Sequence, residues 1–254
     1  MISLKNFIEK IRNIWNGFKT NLKVFVKKKK IIFIINNYPG GYKPERIRRL
    51  ENLIQLEFPT LKAKIIHYSD IDKKTLKKSI GLILTGSSLN VSSFSSNPSM
   101  ETRFIPEIEL IRKYKKPILA ICFGHQLAAY AFGAKVKRMS YRAVNNDIFK
   151  LKLQKSDELI TTNEIHVNLN HKDYVVPYDE NLRKHFDINA NLSVDGYETV
   201  QYMKHKKKPI YSVQFHPENH IGNFHYPPYI EDEIIDKAKI AGQILISNFV
   251  SLCL

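Results

Sequence analysis

The chain has 254 residues, 43% hydrophobic and 25% charged, which is enough for one buried core and unlike a disordered chain. The 40 Lys and Arg against 24 Asp and Glu give a net charge of +16, a bias toward anionic surfaces that specifies none of them and that nucleotide bias in the coding sequence would equally produce. Two cysteines, Cys122 and Cys253, exclude a disulfide framework and a cysteine zinc site, and the lack of a long apolar run or compact apolar leader makes a cytoplasmic location the expectation.

Residues 1–30 read as a basic amphipathic extension of a main domain over 31–254. Leu4, Phe7, Ile8, Ile11, Ile14, Trp15 and Phe18 recur at three- and four-residue spacing, with Lys5, Lys10, Arg12 and Lys19 between them. Such a helix packs on its own protein, lies on an anionic membrane surface or fills a partner's groove, and the sequence leaves all three open. Lys27 to Lys30 reads as a solvated tether.

From Ile31 the pattern alternates between strand and helix. The run Ile31 to Ile35 is short and continuously apolar, as a strand buried on both faces should be. A turn at Asn37 to Gly41, a helix over Pro44 to Phe58, strands at Leu61 to Tyr68 and Ile80 to Leu84, and a helix-like stretch between these strands follow. Thr85-Gly86-Ser87-Ser88 opens a Ser- and Asn-rich loop to Pro98, which lacks periodicity and is expected to be exposed and mobile. A helix over Met100 to Tyr114 leads to a strand at Pro117 to Cys122 and a helix over Gly124 to Phe132. Repeated β-α-β units imply a mostly parallel α/β sheet with helices on both faces. Beyond Gly133, strands at Asp147 to Leu153, His166 to Leu169 and Glu198 to Met203 suggest a small antiparallel extension. Tyr211 to Phe215 is a further strand, and Glu231 to Leu252 a closing helix.

Three segments end predicted strands, where open α/β sheets gather their catalytic groups: Thr85-Gly86-Ser87, Cys122-Phe123-Gly124 and His216-Pro217-Glu218. A cysteine at a sharp strand-to-helix turn, with small Ala120 and Gly124 beside it, faces the positive end of the following helix, which favours thiolate. An anionic tetrahedral intermediate needs pre-oriented donors, and the backbone N–H groups of Gly86 and Phe123 are the candidates. The alternative readings are a buried inert thiol and an ordinary turn.

Together, Ala120-Ile121-Cys122-Phe123-Gly124-His125-Gln126 and Gln214-Phe215-His216-Pro217-Glu218 resemble the class I, triad-type glutamine amidotransferases, particularly stand-alone GMP synthetase-like members. The resemblance runs from about Ile31 to about Gly222. It implies a flavodoxin-like fold, Cys122 as nucleophile, His216 as base and Glu218 as the carboxylate that orients it. It also implies that Gln126 meets the amino-acid end of the substrate, and that Asn170-His171-Lys172-Asp173 is a loop touching glutamine through its backbone. Two departures stand out: Ala120 replaces the commoner glycine, and Ser87-Ser88-Leu89-Asn90 replaces a glycine-rich stretch.

The implied reaction is hydrolysis of the glutamine side-chain amide through a cysteine thioester. These residues contain no ammonia-accepting synthetase domain, so an acceptor would be another chain or a small molecule. Hydrolysis of γ-glutamyl peptides or conjugates is the rival enzymatic reading, and a non-catalytic binding module using the basic surface or residues 1–30 is the rival of another class. His216, His220 and His225 do not have decisive metal spacing, because Pro217 interrupts the helix that i, i+4 ligation requires. His166, His171 and His185 read as solvated or locally hydrogen-bonded and not as catalytic groups. The basic clusters Lys27 to Lys30 and Lys204 to Lys208 lack stacking aromatics, so nucleic acid is not indicated. No phosphate-binding glycine loop occurs, so no nucleotide cofactor is expected.

Overall fold

A computed structural model describes residues 29–41, 44–72, 76–221 and 225–254, except the side chains of 141–146 and 220. The expected amphipathic helix falls on residues 1–28 and so lies outside the described residues. Among those described, no helix is long and apolar enough to cross a membrane.

Strand β1 (Lys30–Asn36) pairs in parallel with β2 (Leu61–His67) and with β3 (Ser79–Leu84). Helix α1 (Glu45–Glu57) joins β1 to β2. Helix α2 (Pro98–Lys113) precedes β4 (Ile118–Ile121), and α3 (Phe123–Ala131) follows it. Two long strands, β5 (Val136–Lys152) and β6 (Glu164–Val175), form a separate antiparallel pair. The short α4 (Glu180–His185), β7 (Phe186–Val194), β8 (Tyr197–His205), β9 (Ile210–Val213) and α5 (Asp232–Leu252) complete the chain. The main sheet has the order β2-β1-β3-β4-β9-β8-β7, with parallel pairing from β2 to β9 and antiparallel pairing from β9 to β7.

The two-residue period of the central strands divides the core. Ile32 and Ile34 of β1, Ile83 of β3 and Leu119 and Ile121 of β4 face one way, against Ile47, Leu50 and Ile54 of α1 and Leu245, Ile246 and Phe249 of α5. Phe33 and Ile35 of β1, Leu82 and Leu84 of β3 and Ala120 of β4 face the other way, against Phe104, Ile108 and Ile111 of α2 and Leu127 and Ala128 of α3. Continuously apolar strands are therefore needed, because both faces are covered.

Two expectations are corrected. The Ser-rich segment is not a free loop: Val91 and Phe94 are buried, Phe94 stacks 5.7 Å from Phe104, and Asn97 caps α2 by accepting from Met100 N. Val91 and Phe94 stand in a polar stretch without a period, yet they suffice to pin the chain. The segment Asn170 to Asp173 is likewise not a loop but lies within β6, where the ladder with β5 is irregular opposite His171. Strand β7 and helix α4 escaped the sequence reading, because Phe186 to Val194 has Asp187, Asn189 and Asn191 among its apolar residues.

Candidate active site

The site sits where β3, β4 and β9 end side by side, which puts Cys122 between the residues that follow its two neighbours. Cys122 N donates to Val213 O at 2.9 Å, extending the β4–β9 ladder to the cysteine itself. The chain then turns sharply: Cys122 has φ 51 and ψ −100, a conformation that costs a side-chain-bearing residue of order 1–3 kcal/mol and is held by its surroundings. The turn makes Cys122 the N-cap of α3, whose opening N–H groups lack intrahelical acceptors.

Gly124 permits this turn. A Cβ there would stand 2.7 Å from Leu84 O and 2.8 Å from Leu84 Cβ, so only glycine lets α3 start this close to β3. Gly86 is packed against the site itself: a Cβ on it would meet His216 Cε1 at 3.0 Å and Cys122 Cβ at 3.7 Å. Three residues from three strand ends thus share one small volume.

His216 closes the far side, its backbone N–H donating to Asn168 O at 3.1 Å. Its Nδ1 lies 2.7 Å from Glu218 Oε1, both side chains being almost wholly buried. Glu218 belongs to a 3-10 turn over Pro217–His220, so the pair meets across a turn instead of along a strand face. Burial pulls the imidazole's pKa down, but negative charge on Cys122 and Glu218 outweighs it and lifts His216 to about 9. Burial pushes Glu218 up, and the facing imidazolium, with Arg46, more than reverses this and holds the carboxyl below its usual range.

A pocket of about 410 Å³ opens in front of Cys122, lined by Ser87 to Asn90, Phe123, Gln126, Arg138 and residues 170–173. It includes the predicted substrate residues Gln126, Asn170 and His171. Gln126 spends its amide hydrogens on Asp173 O at 2.9 Å and Gln214 Oε1 at 3.2 Å, which leaves Oε1 as the atom able to meet a ligand. Burial lowers His171 to about 4; its Nδ1 is 3.0 Å from Asp173 O, so Nδ1 carries the proton and Nε2, buried without a partner among the described residues, is an acceptor.

The sequence reading missed two contributors. Gln214 Nε2 approaches Cys122 Sγ at 3.5 Å, a contact foreshadowed by a lone amide between the apolar Val213 and Phe215. Arg138 pairs with Asp173 at 3.0 Å across the β5–β6 ladder, and no local signal marked it. Cys253 does not compete: it caps the C-terminus of α5, packs on Gly81 away from the strand ends, and burial pushes its thiol up to about 12. Among the described residues no cluster of three His, Cys, Asp or Glu is placed to hold a metal ion.

The sequence pattern of the family described as Glutamine amidotransferase class-I matches residues 49–236. A glutamine-hydrolyzing GMP synthase subunit of Methanothermobacter thermautotrophicus is 34% identical over 192 residues, covering 75% of this chain and 89% of that one. Its counterpart from Methanobrevibacter smithii is 31% identical over 228 residues, covering 87% and 95%. In fold, a glutamine amidotransferase from Thermotoga maritima superposes with a TM-score of 0.63 at 15% identity, covering 89% of this chain and 98% of that one. On these grounds the chain belongs to the class I glutamine amidotransferase family.

Proposed function

We propose that this protein hydrolyses the side-chain amide of glutamine, with Cys122 as nucleophile, His216 as acid and base, and Glu218 holding the imidazole. The observation that carries the reading is a cysteine in a strained turn, capping a helix, beside a buried histidine whose Nδ1 is 2.7 Å from a buried carboxylate. The Cys122 sulfur attacks the amide carbon, and the backbone N–H groups of Gly86 and Phe123 receive the developing oxyanion. The C–N bond breaks as the His216 imidazolium delivers its proton to the departing nitrogen, releasing ammonia and leaving a γ-glutamyl thioester. Neutral His216 then takes a proton from water, whose oxygen displaces the sulfur, so glutamine and water become glutamate and ammonia.

Gln126 Oε1 and His171 Nε2 are acceptors, suited to the α-ammonium group or to an attacking water, while Asn170 lines the same pocket. The two relatives from Methanothermobacter and Methanobrevibacter are each one subunit of a glutamine-hydrolysing synthase, which supports a separate chain as the ammonia acceptor. Strand β1 begins at Lys30, one residue inside the extension expected over 1–30 and its tether, so the division proposed is an extension over 1–29 and an amidotransferase domain over 30–254.

The test is ammonia release from glutamine by the purified protein and by Cys122→Ala. Release by the parent and its loss in the variant are expected; equal release by both would refute the cysteine mechanism. A pocket of about 410 Å³ has room for a leaving group larger than ammonia, so γ-glutamyl amides belong in the same assay. A kcat/KM higher for these than for glutamine would favour the conjugate-hydrolase reading.

A further inference from the structure

Glu107, on α2, is a fully buried carboxyl that the mechanism above does not use. It stands behind the segment that carries Gly86. Its Oε1 accepts from Asn37 Nδ2 at 3.2 Å, and its Oε2 has no partner among the described residues. Asn37 is equally buried, and its Oδ1 is also without a partner among those residues. A buried orphan acceptor is costly; here two occur on one acid and one amide that a hydrogen bond already joins.

The orientation of the Asn37 amide is fixed from its other side. Asn37 Nδ2 donates to Thr85 O at 3.1 Å, a carbonyl that can only accept, so the NH₂ must face it and Oδ1 must face away. We infer that Glu107 is carried as a neutral carboxylic acid whose Oε2–H donates to Asn37 Oδ1, closing a two-bond acid–amide pair that positions the Thr85–Gly86 peptide. Burial agrees in direction: it pushes Glu107 up to about 8, against the pull of the Asn37 amide hydrogen. The other displaced carboxyls among the described residues, Glu158, Glu164, Glu218 and Glu233, all move down.

The positioning follows from peptide geometry. In a trans peptide the C=O and N–H of one unit point to opposite sides. Thr85 O is held by Asn37 Nδ2 and by Gly124 N at 3.2 Å, so the Gly86 N–H of the same unit is aimed the opposite way. Two more bonds tie the segment to Asn37: its N–H donates to Thr85 Oγ1 at 3.1 Å, and Ser87 Oγ donates to its carbonyl at 2.6 Å. Asn37 is thus the staple of the β3 end, and Glu107 holds the staple. The catalytic consequence rests on the proposed role of Gly86 as oxyanion donor; the protonation state does not.

The test compares the parent with Glu107→Gln and Glu107→Leu by infrared spectroscopy and steady-state kinetics. The parent at pH 7 is expected to show a carbonyl stretch of a protonated carboxyl that exchanges slowly in heavy water and is missing from E107Q. Glutamine at 107 restores both bonds as an amide–amide pair, so E107Q should keep kcat within about twofold of the parent. Leucine removes both, and kcat should fall about tenfold or more with KM changed little, because the donor is loosened and not the substrate site. No protonated-carboxyl band in the parent would overturn the neutral acid. A kcat loss in E107Q as large as in E107L, or no loss in E107L, would overturn the positioning role. If E107L does not fold, the infrared band still decides the neutral acid, and an E107Q kcat tenfold or more below the parent would still overturn the positioning role. If the parent releases ammonia from no substrate, the glutaminase reading fails, while the band still answers for the acid–amide pair.

Discussion

Replacing Gly124 by alanine tests the close approach on which the site depends. A Cβ at this position would lie 2.7 Å from Leu84 O, about 0.7 Å inside the 3.4 Å at which ordinary contact begins. The obstacle is backbone, and Leu84 Cβ at 2.8 Å blocks a sideways escape, so the start of α3 must move away from the end of β3. Overpacking of this kind costs about 1–3 kcal/mol. The gain from alanine in place of glycine in a helix, up to about 1 kcal/mol, offsets part of it. A net loss of about 1–2 kcal/mol corresponds to a Tm lowered by roughly 2–8 °C in a chain of this size. Function should suffer more than stability. The same displacement separates Cys122 and the Phe123 N–H from Gly86 and stretches the 3.2 Å bond from Gly124 N to Thr85 O. A misplacement near 1 Å costs on the order of 10²-fold in rate, so kcat for ammonia release should fall roughly 10- to 100-fold. Denaturant unfolding and a coupled glutamate assay measure the two effects. A variant with parental stability and parental kcat would refute the close-approach argument.

Other outcomes follow from the same geometry. His216 is raised to about 9 by negative charge on Cys122 and Glu218 acting against burial, so kcat/KM should decline as pH rises through about 9 and the imidazolium is lost. Glu218→Gln removes one of those charges, so the decline should begin at lower pH and the maximum rate should drop roughly tenfold or more; an unmoved alkaline limb would contradict the pairing. At pH 7 a glutamine-analogue electrophile should label Cys122 and spare Cys253, whose thiol burial pushes up to about 12; peptide mapping decides this. Phe94→Ala should cost about 3–5 kcal/mol in unfolding free energy, because Phe94 is a fully buried ring, whereas a mobile loop would lose almost nothing.

Much of the site was legible because its chemistry is local in the chain. The turn at Cys122 is written in its neighbours: an apolar strand before it, Gly124 just after it, and a helix that begins at Phe123. His216 and Glu218 are two residues apart, so their contact needed no long-range information, although a 3-10 turn and not a strand brings them together. Asn37 and Glu107 were opaque for the opposite reason. They are 70 residues apart, and each reads alone as an ordinary turn residue and an ordinary charge on a helix. The same holds for Arg138 and Asp173, whose pairing depends on the register between β5 and β6.

Periodicity and turn chemistry act over a few residues, so the central strands and the helices around them could be read from the chain alone, while Cys122, His216 and Glu218 were singled out by the resemblance of their two motifs to the family. That β4 lies between β3 and β9, and hence that Gly86, Cys122 and His216 meet, is visible only in the folded sheet. Strand order is set by which apolar faces can be buried together, a competition settled over the whole chain and not within any segment of it.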